Sequence, residues 1–356
     1  MHGWVDLMPL FMLLDMDYFF AACEEARRPE LKGKPFVVGT SPEKDKLHGV
    51  VQTSNYVARQ FGIKSGMAVS KAVALCPDLK YSESHEDYYE EMSKRVMDIV
   101  RKYGFPMEIM SIDECALRLG EMGMEAAMRL STEIKEKIRN ETLLTCTIGI
   151  SSSKIYAKMV CDSAKPDGLQ GVEGSGVVSF IRSKEVSKIP GIGPKAEEEL
   201  RRIGISKIED AIGKSPMLLM DRLGSLGTFL YRVANGLDES DVEENYQMLS
   251  IGRETTLAYP PTKESIMEAM ERLTDQTISE VLKKKMMFRG VSVKVRYTDF
   301  TEKIRSTSIK NYTDSKELLA KKALTLIEGL LDAKPVRKIG VRVYMLSEAS
   351  GQSTLF

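Results

Sequence analysis

The chain has 356 residues, 43% of them hydrophobic and 29% charged, and its 51 basic and 51 acidic residues cancel. That length allows two or more domains with separate cores, and the balance excludes a disordered or collagenous protein. Five scattered cysteines with no C-x-x-C pair, and only three histidines, exclude a disulfide framework and a zinc pattern. They point to a reducing cytoplasm, and the apolar start of the chain is too short to span a membrane.

In chain order, the apolar run Leu10 to Leu14 reads as a buried strand ending in Asp15-Met16-Asp17, with a helix beginning near Tyr18. Asp87 to Tyr103 has helical periodicity and stops at Gly104-Phe105-Pro106. Met107 to Met110 reads as a second short buried strand, ending in Ser111-Ile112-Asp113-Glu114. A helix over Glu125 to Arg139, a strand over Thr145 to Ile150 and a helix over Lys154 to Ala164 follow. This alternation predicts an α+β layer with helices on one face of a mostly antiparallel sheet. Carboxylates parked at strand ends without basic neighbours repel one another and are costly to desolvate. A divalent cation resolves that conflict, and an all-oxygen ligand set favours Mg²⁺ or Mn²⁺ over zinc. The alternative at each position is a helix cap at Asp15 and a solvated turn at Asp113-Glu114.

From about residue 173 to 240 the pattern is helical, with two glycine-punctuated turns. Ile189-Pro190-Gly191-Ile192-Gly193-Pro194-Lys195 precedes a helix over Ala196 to Ile203, and Gly224-Ser225-Leu226-Gly227 precedes one over Thr228 to Ala234. Paired glycines let backbone approach a phosphate, and the next helix offers unpaired N–H groups. The second turn lacks a basic residue directly after it. Asp238 to Tyr246 reads as an acidic linker. Strands over Ser250–Leu257, Gly290–Tyr297, Ile304–Ile309 and Lys338–Tyr344, with helices near Ser265–Lys283 and Ser315–Leu331, give a ferredoxin-like β-α-β-β-α-β order. Residues 250–346 hold 19 Lys+Arg against 12 Asp+Glu, while residues 1–249 hold 32 against 38. Such asymmetry suits a basic surface for nucleic acid.

Asp15-Met16-Asp17-x-Phe19-Phe20-Ala21 and Ser111-Ile112-Asp113-Glu114 resemble the catalytic motifs of Y-family translesion DNA polymerases, in the DNA polymerase IV branch. Gly33-Lys34-Pro35, Asn55-Tyr56-x-Ala58-Arg59, Gly149-Ile150-Ser151, Ala164-Lys165-Pro166-x-Gly168 and Ser250-Ile251-Gly252-Arg253-Glu254 extend the resemblance from about Pro9 to Leu346. The resemblance implies an α+β multidomain fold. Its palm comprises residues 1–18 and 85–172, its fingers 19–84, and its helical thumb with helix-hairpin-helix motifs 173–239. A linker (240–249), a ferredoxin-like little finger (250–346) and a clamp-binding tail (347–356) complete it.

The implied activity is template-directed, error-prone extension of a primer past damaged bases, with no proofreading exonuclease and with two Mg²⁺ ions, for which Mn²⁺ substitutes. Asp15, Asp113 and Glu114 are the implied catalytic carboxylates and, with the Met16 carbonyl, the metal ligands; Asp17 stands behind them. Adjacent Asp113 and Glu114 diverge on a straight strand, so a turn or bulge is expected there. Phe20 is the implied gate against a sugar 2′-hydroxyl. Thr53, Tyr56, Arg59 and Lys165 are implied at the nucleotide, and Phe19 beside them as the neighbouring pocket or core aromatic. Gly191, Gly193 and Lys195, together with Lys294, Arg296, Arg305, Arg337 and Arg342, are implied at DNA. Gln352, Leu355 and Phe356 resemble a sliding-clamp peptide. The implied partners are primer-template DNA, deoxynucleoside triphosphates and a clamp, for a cytoplasmic monomer without a membrane. A nucleotide cyclase would not need the 189–203 hairpin or the basic C-terminal part. A non-catalytic DNA-binding protein would not need three carboxylates with Tyr56, Arg59 and Lys165.

Overall fold

The computed structural model describes residues 9–39, 49–244, 247–258, 260–331 and 334–348. The chain divides into two compact units, Met1–Asn245 and Tyr246–Phe356. In the first, β1 (Leu10–Met16) leads into α1 (Phe19–Arg27) through Tyr18, the residue at the helix N-cap, which holds a left-handed φ of 37°. Asp15 therefore does not cap that helix. A three-stranded sheet follows, with β2 (Phe36–Gly39) between β3 (Val51–Ser54) and β4 (Lys80–Ser82). The short helices α2 (Tyr56–Gln60) and α3 (Val69–Leu75) share its core of Val37, Val51, Ala58 and Ile63.

The large sheet is completed by α4 (Glu86–Arg101), β5 (Met107–Ile109), β6 (Glu114–Gly120), α5 (Met124–Thr142), β7 (Cys146–Ser151), α6 (Lys154–Ala164) and β8 (Leu169–Gly171). Its order is β5-β6-β1-β7-β8. Alternation along β1 sends Leu10, Met12, Leu14 and Met16 into a core with Phe19, Tyr89, Val96 and Ile134 from α1, α4 and α5. Phe11 and Leu13 point the other way and meet Ala157 and Cys161 of α6. The expectation of helices on one face is thus corrected: α6 covers the second face, because Phe11, Leu13 and Ala116 make that face apolar too. With both faces covered, every residue of β1 is buried, Asp15 included.

The second expected buried strand is corrected as well. β5 is a three-residue edge strand that leaves Ile109 exposed, and Asp113-Glu114 does not end it. A bend over 111–113 intervenes, and Glu114 opens β6. An edge strand has a neighbour on one side only, so apolar residues there need not be enclosed.

Four helices, α7 (Gly176–Ile181), α8 (Pro194–Arg202), α9 (Pro216–Leu223) and α10 (Ser225–Ala234), pack around Val177, Leu200, Leu219 and Leu230. Of the second glycine pair only Gly224 lies in a turn. Gly227 sits inside α10, where a Cβ would overlap the Leu219 carbonyl, so this glycine serves close helix packing and not a phosphate turn. The acidic segment from Asp238 is not a free linker either. Ser240 accepts from the Lys154 and Ile155 amides, Asp238 N donates to Tyr156 Oη, and Asp241 pairs with Arg118. The first amides of α6 lack intrahelical partners, and this segment supplies them.

The second unit runs β9 (Ser250–Thr256), α11 (Lys263–Lys283), β10 (Met286–Tyr297), β11 (Glu302–Thr313), α12 (Lys316–Glu328) and β12 (Val336–Glu348). Its chain order is the expected β-α-β-β-α-β. The strands lie side by side as β11-β10-β12-β9, every neighbour antiparallel. Val291, Val293, Val295, Val341 and Val343 form its core with Ile266 and Leu273 of α11 and Leu319 and Ala323 of α12. Among the described residues no helix is long and apolar enough to cross a membrane. Gln352, Leu355 and Phe356 lie outside the described residues.

At Gly149 of β7 the backbone of α6 lies close over the sheet: a Cβ there would overlap the Ala157 carbonyl and the Cys161 amide. Gly149→Ala should therefore destabilise the first unit by about 1–3 kcal/mol, because backbone cannot yield as a side chain can. A urea midpoint equal to that of the parent protein would contradict this packing.

Candidate active site

The register of β1 places Asp15 opposite Glu114 on β6 and opposite Thr147 on β7. Directly opposed residues project to the same face, about 4.5–5.5 Å apart at Cβ. Alternation makes that the face covered by α6, so both carboxylates meet a lysine from the helix. Lys158 Nζ lies 2.7 Å from Asp15 Oδ2, 3.0 Å from Glu114 Oε1 and 3.2 Å from Asp162 Oδ1. Lys165, just past the end of α6, reaches Asp15 Oδ1 at 2.6 Å. The expectation of carboxylates without basic neighbours is corrected by two lysines that are remote in sequence.

Lys158 is the site residue that sequence reasoning missed. Its signal was the spacing of Lys154, Lys158 and Asp162, which puts all three on one face of α6. Lys154 pairs with Glu108 at 2.6 Å. Burial disfavours the Lys158 ammonium, but Asp15, Asp162 and Glu114 outweigh it and hold its pKa above the ordinary lysine value. Burial raises the Glu114 pKa, with Lys158 opposing it. Glu114 Oε1 is buried, with the Lys158 ammonium 3.0 Å away. Asp113 is not drawn into this pair. Its carboxylate accepts from Ser111 Oγ at 2.6 Å, while its carbonyl accepts from Met16 N at 2.9 Å. Among the described residues, no three Asp, Glu, His or Cys side chains form a ready-made metal group.

Asp17, two residues along and 1% exposed, is a hub. It accepts from Thr145 Oγ1, Thr147 Oγ1 and the Asp167 amide, each at 2.9 Å, and from Tyr56 Oη at 3.4 Å. One carboxylate thus joins β1, β7, the loop that carries Lys165, and α2. Burial first, then Asp17, raises the Tyr56 hydroxyl pKa. The Arg59 guanidinium lies 4.8 Å from the Tyr56 ring centroid and donates from Nε to the Ser54 carbonyl at 3.0 Å. Thr53 is half-buried on β3 beside them.

Phe20 stacks on Tyr89, with ring centroids 4.7 Å apart and planes 15° from parallel. Tyr89 donates to the fully buried Glu24 at 2.9 Å, which His85 and Ser82 also contact. Phe19 is only 3% exposed, in the core beneath the sheet. Its expected nucleotide contact through the side chain is corrected: successive helical residues diverge by about 100°, so Phe19 points inward where Phe20 does not.

Gly191 holds a φ of 93°, Gly193 is the N-cap of α8, and Lys195 is exposed. A cavity of about 820 Å³ joins this hairpin to the lysine site, lined by Lys158, Asp162, Lys184, Lys188 and Gly191 among others. In the second unit, Lys294 and Lys338 both pair with Glu254, and Arg296 Nε donates to Glu302 at 2.6 Å. Lys294 and Arg342 line a groove of about 510 Å³. Arg305 is corrected to the opposite face: it stands opposite the core residue Val293 and lies against Gly329 at the end of α12. Arg337 stacks on Phe300 at 5.0 Å.

Residues 14–162 match the model of the impB/mucB/samB family, and residues 249–355 match that of its C-terminal domain. DNA polymerase IV of Methanoculleus marisnigri is 36% identical over 338 residues, covering 94% of this chain and 93% of that protein. DNA polymerase IV of Streptococcus agalactiae is 33% identical, covering 94% and 93%. A solved Y-family DNA polymerase chimera of Dbh and Dpo4 superposes with a TM-score of 0.89 at 30% identity, covering 95% of this chain and 99% of that one. The chain belongs to the DinB-type Y-family DNA polymerases. An insertion ternary complex of Dbh DNA polymerase is also similar, at a TM-score of 0.69 and 28% identity, covering 94% and 98%. As a member of this family the polymerase is a DNA-directed translesion enzyme with palm, fingers, thumb and little finger.

Asp17→Ala removes the acceptor for the buried Thr147 hydroxyl and the Asp167 amide. Leaving a buried donor unmet costs about 1–3 kcal/mol. The urea midpoint of the polymerase should fall accordingly, and the Asp167 amide should exchange hydrogen faster. Unchanged values of both would show that Asp17 organises nothing.

Proposed function

We propose that the polymerase joins a primer 3′-hydroxyl to the α-phosphate of a deoxynucleoside triphosphate at Asp15 and Glu114, with Asp113 and the Met16 carbonyl completing a site for two divalent ions. The observation that carries this is the cross-strand pair of Asp15 and Glu114, two carboxylates opposed on the α6-covered face of the sheet with a shared cation between them. The donors are all oxygen, which suits Mg²⁺, with Mn²⁺ as a substitute. Bound there, such ions lower the pKa of the attacking hydroxyl and offset charge on the triphosphate and leaving oxygen. The O–P bond forms as the bond to the bridging oxygen breaks; the hydroxyl proton passes to water, and pyrophosphate departs.

The fixed donors for the triphosphate are Arg59, Tyr56, Lys165 and Thr53. Asp17 supports two of them, holding Tyr56 by its hydroxyl and the Lys165 loop by the Asp167 amide. Phe20, propped by Tyr89, closes the space at the sugar C2′. Gly191, Gly193 and Lys195 serve the DNA backbone, as do Lys294, Arg296 and Arg342 on one face of the little-finger sheet and Arg337 at the start of its interior strand β12. Such phosphate contacts carry no sequence information, as a template-directed enzyme requires. The family likeness and the similar Dbh ternary complex support primer-template DNA and nucleotide as ligands. Gln352, Leu355 and Phe356 are the proposed clamp peptide of a cytoplasmic, monomeric enzyme. Deleting residues 352–356 should leave unassisted extension intact and remove stimulation by the cognate clamp; equal stimulation of both forms would refute it.

Asp113→Ala and Glu114→Ala should each cut single-turnover nucleotide addition by several kcal/mol, at ~1.4 kcal/mol per tenfold in rate, while DNA binding persists. A near-normal rate in either variant would remove that residue from the site. Phe20→Ala should raise ribonucleotide incorporation strongly and affect deoxynucleotide use much less. Should Phe19→Ala relax sugar choice and Phe20→Ala not, the gate lies one residue earlier.

A further inference from the structure

The nucleotidyl-transfer reading gives Lys158 no role, yet its ammonium touches three carboxylates. Asp15 and Glu114 lie at 2.7 and 3.0 Å, and Asp162, one helical turn along α6, at 3.2 Å. The Lys158 side chain is 17% exposed and that of Asp162 is 45% exposed, so the three contacts run from the buried sheet outward to solvent. We propose that Lys158 is an exchangeable counter-ion: it offsets the charge of Asp15 and Glu114 until divalent ions are taken up, then turns to Asp162. This rests on the reading of Asp15 and Glu114 as ion ligands.

Asp15 and Glu114 oppose each other on neighbouring strands inside a covered sheet, and like charges so placed destabilise the pairing. A cation between them offsets that repulsion. A divalent ion and the ammonium therefore compete for the same two carboxylates. A divalent ion held by Asp15 and Glu114 would displace the ammonium from between them and would repel it at close range.

Lysine suits such a role, because its ammonium is a point charge on a flexible stem and has no fork that locks it in place. Its ammonium donates to Asp15 Oδ2 at 2.7 Å and lies 3.0 Å from Glu114 Oε1, so it is held by the two carboxylates that an ion would take. Asp162 is already in contact, which gives the displaced ammonium a partner without passage through the core. Lys165 differs: it sits on the other oxygen of Asp15 and only grazes Asp162, at 3.9 Å. The exchange keeps the paired strands stable in the unloaded polymerase and sets the ion concentration at which the site loads.

The test follows thermal unfolding of the full-length, DNA-free polymerase against MgCl₂ at constant ionic strength, a readout independent of turnover. Lys158→Met keeps most of the stem and removes the charge. Its midpoint without Mg²⁺ should fall below that of the parent, while the Mg²⁺ concentration for half-maximal stabilisation should fall about three- to fivefold, the scale of a partly exposed ion pair. Asp162→Asn removes the second partner, so its half-maximal concentration should rise by a similar factor. A Lys158→Met protein that needs as much Mg²⁺ as the parent, or more, overturns the exchange. An unchanged requirement in Asp162→Asn does the same, and that variant decides the matter if Lys158→Met does not fold. No Mg²⁺-dependent stabilisation in the parent overturns the ion-ligand reading of Asp15 and Glu114, and the exchange with it.

Discussion

The antiparallel pairing of β1 with β6, enclosed on both faces, is the constraint on which the rest of the first unit depends. It sets Asp15 against Glu114 and turns both toward α6. A slip of one residue would send every side chain of β1 to the wrong face, placing Leu14 and Met16 against α6 and the carboxylates in the main core. The apolar alternation of β1 and the close fit of α6 over Gly149 prevent that slip. Core packing and the position of the chemistry are thus one problem. The register that buries Leu10, Met12 and Leu14 is the register that presents Asp15.

From that pairing the site grows outward through buried polar groups, each with partners. Asp17 gathers donors from β7, from the loop after α6 and from α2, so the small three-stranded sheet and the large one share an anchor. Glu24 does the same beneath Phe20, where Tyr89, His85 and Ser82 converge. Buried carboxylates are costly alone and stabilising when every oxygen is used, which makes these hubs rigid supports for the residues in front of them. Tyr56 touches such a hub directly, and Phe20 reaches one through Tyr89.

The second unit handles charge differently. Its excess of basic residues is partly spent inside the unit, with Glu254 held between Lys294 and Lys338, and Glu302 against Arg296. Those two lysines, the dominant attraction once burial is overcome, keep the Glu254 carboxyl below the usual range. The basic character offered to a phosphate backbone is therefore smaller than composition suggests, and DNA must compete with internal carboxylates for Lys294 and Arg296.

Much of this protein was legible in its sequence. The bounds of α6, the strand over Leu10 to Leu14, the helix after Tyr18 and the β-α-β-β-α-β order of the second unit follow from local periodicity and turn chemistry, which neighbouring residues alone decide. The motifs around Asp15 and Glu114 likewise carried the family. What periodicity does not encode is which elements meet. That α6 covers the second face of the sheet, that Lys158 and Lys165 arrive at Asp15 from some 140 residues away, and that Asp113 turns to Ser111 while Glu114 faces Asp15 were decided by tertiary packing. Gly227 and Arg305 show the same limit. Each has the residue type expected at a phosphate, and packing places one inside a helix contact and the other on the helix-covered face. Local sequence determines the shape and amphipathicity of each element; only the assembled layers determine which charges share a space, because that depends on contacts between segments distant in the chain.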